Sequence, residues 1–454
     1  MRDRSPASLC AVFAIGVGCA VTVSAGATTA RPVRGAVPAV TVTAPEQLVP
    51  GRSPVLHWPA TGEAAVAVAG VGLVGASPEE RRVPIASLTK MMTALVILRD
   101  HPLAPGAPGP ALVMSAWDVA DWKKDVRAGD SVVEVEAGEV MSEYQALEAL
   151  LVPSGDNIAD RLAIWDAGSI RAFVAKMNRT ALTLGLESTR YVDPSGVDPG
   201  SAGNAADQAL VASNLFADPV VRGIVRMQRI NLPLVGVLPN RNPALAVDGI
   251  VGVKGGYSSH AHNCLVTAAF RAHHAAAVIS VALGQPDGLA PARIDEALLQ
   301  AVTQRLDRSR LEAPDAVVGT VSAVRGTAVV ELVTPDDPAT AVVWPGLALS
   351  NTITLQPPRS AQALRSARPG IVVGVLTVSA PWGVLASVPI TVAARAGSAP
   401  AARGKRRSAQ ASGALSRTSE RPRPVAPLAT AAAEPTAAGS SPGQRQSGTS
   451  ATRR

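Results

Sequence analysis

A serine and a lysine stand three positions apart, at Ser87 and Lys90, immediately before an apolar run that ends near Leu98. Three residues is about one helical turn, so both side chains share a face and lie within reach of each other. A serine hydroxyl is a weak nucleophile until a base takes its proton. A lysine amine serves as that base only where burial or nearby positive charge lowers its pKa. The stretch therefore reads as a nucleophile and a base on one turn, leading into an apolar helix. The spacing alone decides nothing, because serine and lysine fall three apart in many surface helices.

Two more polar stretches follow in chain order. Ser154-Gly155-Asp156-Asn157 comes after a predicted helix, and Lys254-Gly255-Gly256 after a short strand-like run, Gly249 to Val253. Serine–lysine acyl enzymes use three elements in this order: Ser-x-x-Lys, a Ser-x-Asn type motif and a Lys-Thr-Gly type motif. RRVPIASLTKMMTALVIL, LLVPSGDNIADRLA and VGVKGGYSSHAHNCLV carry these residues, and YVDPSGVDPGS stands between the second and the third. From about Ala64 to about Leu306 the chain resembles the D-alanyl-D-alanine carboxypeptidases, the low-molecular-weight penicillin-binding proteins.

Pattern and resemblance agree on the fold class. Ala64 to Ala76 alternates small and aliphatic residues and predicts one or two strands. Ser142 and Gln145 have capping-box spacing at the start of a helix that Pro153 ends, and Ser169 to Leu184 reads as an amphipathic helix closed by Gly185. Gly249 to Val253, Asn263 to Arg271 and Ala275 to Leu283 read as strands, and Arg293 to Leu306 as a closing helix. Strands at both ends with helices between predict an α+β domain with an antiparallel sheet flanked by helices. The resemblance implies the same β-lactamase/transpeptidase-like fold, with the nucleophile at the start of a buried helix.

Composition sets the outer boundaries. Arg2 and Arg4, an apolar stretch from Leu9 to Val23 and Ala25-Gly26-Ala27 read as an export signal over 1–27. An uncleaved membrane anchor is the competing reading. Residues 28–54 read as a proline- and valine-rich linker, 55–308 as the catalytic domain, and 313–393, rich in short β-branched runs, as a small all-β domain. Residues 369–394 carry no charge and are long enough to span a membrane. Pro381, Pro389 and the Trp382-Gly383 turn signal favour a β hairpin instead. The net charge of +7 belongs to the end of the chain: from Ala394 to Arg454 eleven Lys or Arg face Glu420 and Glu434, which leaves −2 for everything before. This basic 394–454 segment, rich in Ala, Pro, Ser and Gly, reads as a disordered tail suited to weak contact with anionic lipid or cell-wall polymer. Nucleic acid is not an expected partner, because no aromatic residues are interleaved with the basic ones and the chain reads as exported.

No cofactor or metal is expected. His260 with His262, and His273 with His274, lack a Cys or carboxylate partner at ligand spacing. Of the three cysteines, Cys10 and Cys19 fall in the signal, leaving Cys264 as a buried inert thiol.

The resemblance implies roles position by position. Ser87 would attack the D-Ala–D-Ala peptide bond of a peptidoglycan stem peptide, or a β-lactam antibiotic in its place, and Lys90 would take its proton. Ser154 would pass the proton to the leaving amine. Lys254 would lower the pKa of Lys90 and attract the substrate carboxylate. The backbone N–H groups of Ser87 and Tyr257 would form the oxyanion hole, and Arg293 is a candidate for the terminal carboxylate, with a solvated helix arginine as the plainer alternative. Two departures stand out. Asp156 occupies the third position of Ser-x-Asn, with Asn157 displaced by one. The expectation is that Asn157 turns inward or that Asp156 pairs with Lys254. Gly255 stands where the family usually has Thr, so a hydroxyl for the substrate carboxylate is missing, at a cost of roughly 1 kcal/mol. The leading reading is an exported serine carboxypeptidase. The alternatives are a catalytically weak peptidoglycan-binding homologue and, with no deacylating glutamate identifiable, a β-lactamase.

Overall fold

The computed structural model describes residues 39–393, apart from 79, 248, 271–275, 323–328, 336–338, 357–363 and 365. The predicted export signal, the His273–His274 pair and the basic tail lie outside the described residues.

The first sheet has five antiparallel strands in the order Ile250–Ser258, His262–Phe270, Ala277–Gln285, Glu63–Val68, Gly72–Ala76. Every residue of Glu63–Val68 is buried, because both faces of the sheet are covered. On one face Ala64, Val66 and Val68 pack with Leu298, Leu299 and Val302 of the closing helix Ala290–Thr303. On the other, Ala65, Ala67, Ile279 and Val281 join the helical core. Within that core the helix Thr89–Asp100 is buried from Thr89 to Leu98. A helix buried on every side over ten residues is a central one. Each of its fully buried Met, Leu or Ile side chains stabilises the fold by roughly 1.5–3 kcal/mol.

Around it stand Glu143–Leu151, Asp156–Ala167 and Ile170–Thr183. Ser142 caps the first through a complete capping box: its Oγ accepts from the Gln145 N–H at 3.1 Å and its own N–H donates to Gln145 Oε1 at 3.0 Å. The helix ends at Leu151, two residues before Pro153. Ser169 caps the third, and Gly185 follows it in the left-handed region at φ 73°.

The second sheet has seven strands, in the order Ala39–Val42, Val317–Ser322, Val329–Val333, Gly383–Val392, Val372–Ala380, Ala348–Leu355, Glu46–Leu48. The segment expected as a linker therefore supplies both edges. Ala39–Val42 pairs with 319–322, and Glu46–Leu48 pairs with 348–350. Its Val40-Thr41-Val42 run has strand propensity, and Pro45 falls between the paired stretches, where its missing N–H does no harm. Only Thr43 to Pro45 separate the two edges, so this sheet is rolled upon itself. The uncharged run 369–394 forms the hairpin Val372–Ala380 and Gly383–Val392. Among the described residues no helix is long and apolar enough to cross a membrane.

Candidate active site

Ser87 is the middle residue of a short 3-10 turn, Ala86–Leu88, that runs into the central helix. Ala86 has φ 47° and Ser154 has φ 71°. Left-handed backbone at a non-glycine residue costs of order 1–3 kcal/mol and persists only where surroundings impose it. Here the nucleophile turn is gripped from two sides. A Cβ on Gly196 would come within 1.9 Å of the Ala86 carbonyl oxygen, and one on Gly256 would lie 3.0 Å from the Ser87 nitrogen. Close approach requires glycine at 196, and leaves a side chain at 256 little room.

Lys90 is fully buried. Its Nζ donates to Ser87 Oγ at 2.8 Å, to Asp156 Oδ1 at 2.5 Å and to the Ser195 carbonyl at 2.9 Å. An ammonium has three hydrogens, and three acceptors receive them. The other Asp156 oxygen accepts the Ser131 N–H at 2.9 Å. Both sequence expectations for this motif are corrected. Asp156 pairs with Lys90 rather than with Lys254, and Asn157 turns away, accepting from the Val133 N–H at 3.0 Å and donating to the Val133 carbonyl at 2.8 Å. The cause is local. Residues 156 and 157 already belong to the first turn of Asp156–Ala167, where neighbours point about 100° apart and only one can face the lysine.

Lys254 faces them from the edge strand. The strand expected to end at Val253 continues to Ser258, because the Lys254-Gly255-Gly256-Tyr257 run pairs with Val266, Leu265, Cys264 and Asn263. The ladder supplies what the two glycines lack in propensity. Lys254 Nζ donates to Ser154 Oγ at 2.9 Å and to the Gly255 carbonyl at 2.7 Å. Burial holds its pKa well below the usual lysine range, and the charges of Lys90 and Arg241 push the same way against the opposing pull of Asp156. Of the two lysines, Lys254 is the one without a hydrogen-bonded carboxylate.

These residues line one cleft of about 440 Å³. Ser87, Ser154 and Asp156 form one wall, Lys254 to Ser258 another, and Asp130, Ser131 and Arg241 a third. Gly255 has room for a side chain, since an added Cβ would meet nothing nearer than Leu265 at 3.6 Å. The Tyr257 ring is exposed, so only its backbone can serve the nucleophile. Arg293 is outside the cleft lining. Its guanidinium pairs with Asp287 at 2.5 Å on the surface, the plainer of the two readings. Cys264 lies beside Gly256 in the register, and burial pushes its thiol up to about 11, leaving it protonated at neutral pH. His260 and His262 sit at the turn between the edge strand and its neighbour. Among the described residues no grouping of His, Cys, Asp or Glu could hold a metal.

Three participants carried no sequence signal of their role. The YVDPSGVDPGS stretch supplies the Ser195 carbonyl to Lys90 on a loop organised by Asp193, whose Oδ2 accepts the Gly196 and Val197 N–H groups at 2.7 and 2.9 Å. Ser131 orients Asp156. Arg241 donates to Ser131 Oγ at 2.8 Å, reaching the cleft from residues far along the chain.

Residues 69–287 match the profile of the family described as D-alanyl-D-alanine carboxypeptidase. Over these residues, just under half of the chain, it is similar to this family. Among curated relatives it is 29% identical over 206 residues to the D-alanyl-D-alanine carboxypeptidase DacF of Bacillus subtilis, covering 44% of this chain and 51% of that one. It is 33% identical over 195 residues to DacB2 of Mycobacterium tuberculosis, covering 41% and 62%. The chain thus spans about half to three-fifths of these relatives' length. In fold it is similar to penicillin binding protein 5 from Haemophilus influenzae, with a TM-score of 0.55 at 20% identity over 75% of this chain and 98% of that one. The carboxypeptidase DacD from Francisella tularensis gives 0.54 at 20% identity, over 75% and 94%.

Proposed function

We propose that this protein is an exported serine-type D-Ala–D-Ala carboxypeptidase that trims peptidoglycan stem peptides and is acylated by penicillins. The observation that carries the reading is the Ser87–Lys90 hydrogen bond at 2.8 Å, set in a cleft whose opposite wall presents Lys254. Ser87 Oγ attacks the carbonyl carbon of the penultimate D-Ala, and its proton passes to an amine of the cleft. The C–N bond then breaks, and terminal D-Ala leaves with that proton, relayed through Ser154. Water hydrolyses the resulting Ser87 ester. The oxyanion is received by the N–H groups of Ser87 and Tyr257, which the close packing of Gly256 on the nucleophile turn brings together; one such donor is worth about 2.7–4 kcal/mol in acyl transfer. With Gly255 lacking a hydroxyl and Arg293 engaged at the surface, Arg241 is the cation best placed to receive the terminal carboxylate.

Fluorescent penicillin labelling of the parent and of Ser87→Ala tests this reading. Labelling of the parent alone is expected, with release of D-Ala from a pentapeptide distinguishing a carboxypeptidase from a β-lactamase. A parent that takes no label would favour the second reading, a peptidoglycan-binding homologue with a weakened site, for which the Lys90–Asp156 pair is the specific support.

A further inference from the structure

Asp156 departs from the Ser-x-Asn pattern at the one carboxylate that hydrogen-bonds Lys90. Resting on the acyl-enzyme reading above, we propose that Asp156 is a positioning residue that locks Lys90 in its ammonium form, so that Ser87 is acylated only after that proton is lost. The geometry supports the lock from several sides. Lys90 is fully buried, the Asp156 side chain is 7% exposed, and their 2.5 Å contact is shielded from water. All three ammonium hydrogens have acceptors, so no Nζ lone pair faces Ser87. The Ser131 N–H engages the second Asp156 oxygen and prevents the carboxylate from swinging away.

The other charged groups around Asp156 are Lys254 on the edge strand, Asp130 on the loop beside Ser131, and Arg241 behind Ser131. Asp130 opposes a second negative charge here, and Lys254 and Arg241 favour it. None of these three is hydrogen-bonded to Asp156. The direct control of the carboxylate therefore comes from Lys90 and the Ser131 N–H.

An asparagine at 156 would reverse the logic. Its oxygen could keep the Ser131 N–H, which leaves its NH2 facing Lys90. An amide N–H meets a neutral amine as a donor meets an acceptor, whereas two donors face each other if Lys90 is charged. The same shape thus demands an ammonium with Asp and accommodates a free amine with Asn. The chemistry at Ser87 is otherwise unchanged: the free amine takes the hydroxyl proton as the Oγ–C bond forms.

The test measures the rate of Ser87 acylation by a fluorescent penicillin from about pH 5 to about pH 9.5, for the wild type and Asp156→Asn, with intact mass reporting the adduct. The wild type is expected to be slow at neutral pH and to accelerate into the alkaline range. Asp156→Asn should be about tenfold faster at neutral pH, with its rise displaced by about one pH unit toward acid. Superimposable profiles for two labelled proteins would overturn the lock while leaving the acyl-enzyme reading intact. Failure of both proteins to label at any pH would sink the acyl-enzyme reading and the lock together. Should the variant not fold, lysine Nζ NMR on the intact wild type decides: an ammonium at Lys90 at neutral pH is expected, and a free amine there refutes the proposal.

Discussion

On the helical wall of the cleft Lys90 meets a carboxylate and two neutral acceptors, while on the strand wall Lys254 meets only the Ser154 hydroxyl and the Gly255 carbonyl. Both amines are buried beside the same nucleophile. Burial penalises a charge unless a partner compensates, so the two walls favour opposite states of the same functional group. Asp156 gives Lys90 a compensating carboxylate, whereas burial pushes Lys254 toward the free amine. The difference between the walls comes down to one carboxylate, Asp156, which lies within hydrogen-bond distance of Lys90 and not of Lys254.

The largest expected difference between the walls is in stability. Lys90→Met strands the Asp156 carboxylate without its partner and should cost about 3–5 kcal/mol in chemical denaturation. Lys254→Met removes an amine that has no carboxylate, and should cost little or even stabilise. The pH dependence has a definite sign. The folded state binds the Lys254 proton more weakly than the unfolded chain does, so stability gains with rising pH up to the ordinary lysine value of 10.5. Lys254→Met should flatten that slope in melts taken across the alkaline range. Equal losses for the two substitutions would break the comparison.

A smaller effect is expected on the strand wall itself. Gly255→Thr introduces a hydroxyl where the cleft has room, and should tighten apparent substrate affinity by roughly fivefold, about 1 kcal/mol. Steady-state D-Ala release reads it as a lower KM; an unchanged or higher KM would mean that the carboxylate is bound elsewhere. The smallest effect belongs to Arg293→Ala. Its guanidinium faces solvent and Asp287, so release rates should stay within about twofold. A large loss would return Arg293 to the site.

How much of this was legible in the chain differs from motif to motif. Ser87 and Lys90 were readable because both their spacing and their chemistry lie within one helical turn. The capping box at Ser142 and Gln145 was readable for the same reason, since its two bonds close over three residues. The edge strand was cut short at Val253, because glycines carry no strand signal and the ladder that extends it comes from residues 263–266. The linker was misjudged on the same grounds: its pairing partners, 319–322 and 348–350, lie some three hundred residues away.

By itself, the sequence determined which chemical groups are present: a serine, two lysines, an aspartate in place of asparagine, and a glycine in place of threonine. Helical periodicity also determined that Ser87 and Lys90 would meet. Only the tertiary structure decided that Asp156 pairs with Lys90, that Asn157 turns to Val133, and that Arg241 lines the cleft while Arg293 does not. Those outcomes depend on which faces of separate elements are packed together. Such packing is set by burying the shared core, and no local pattern records it.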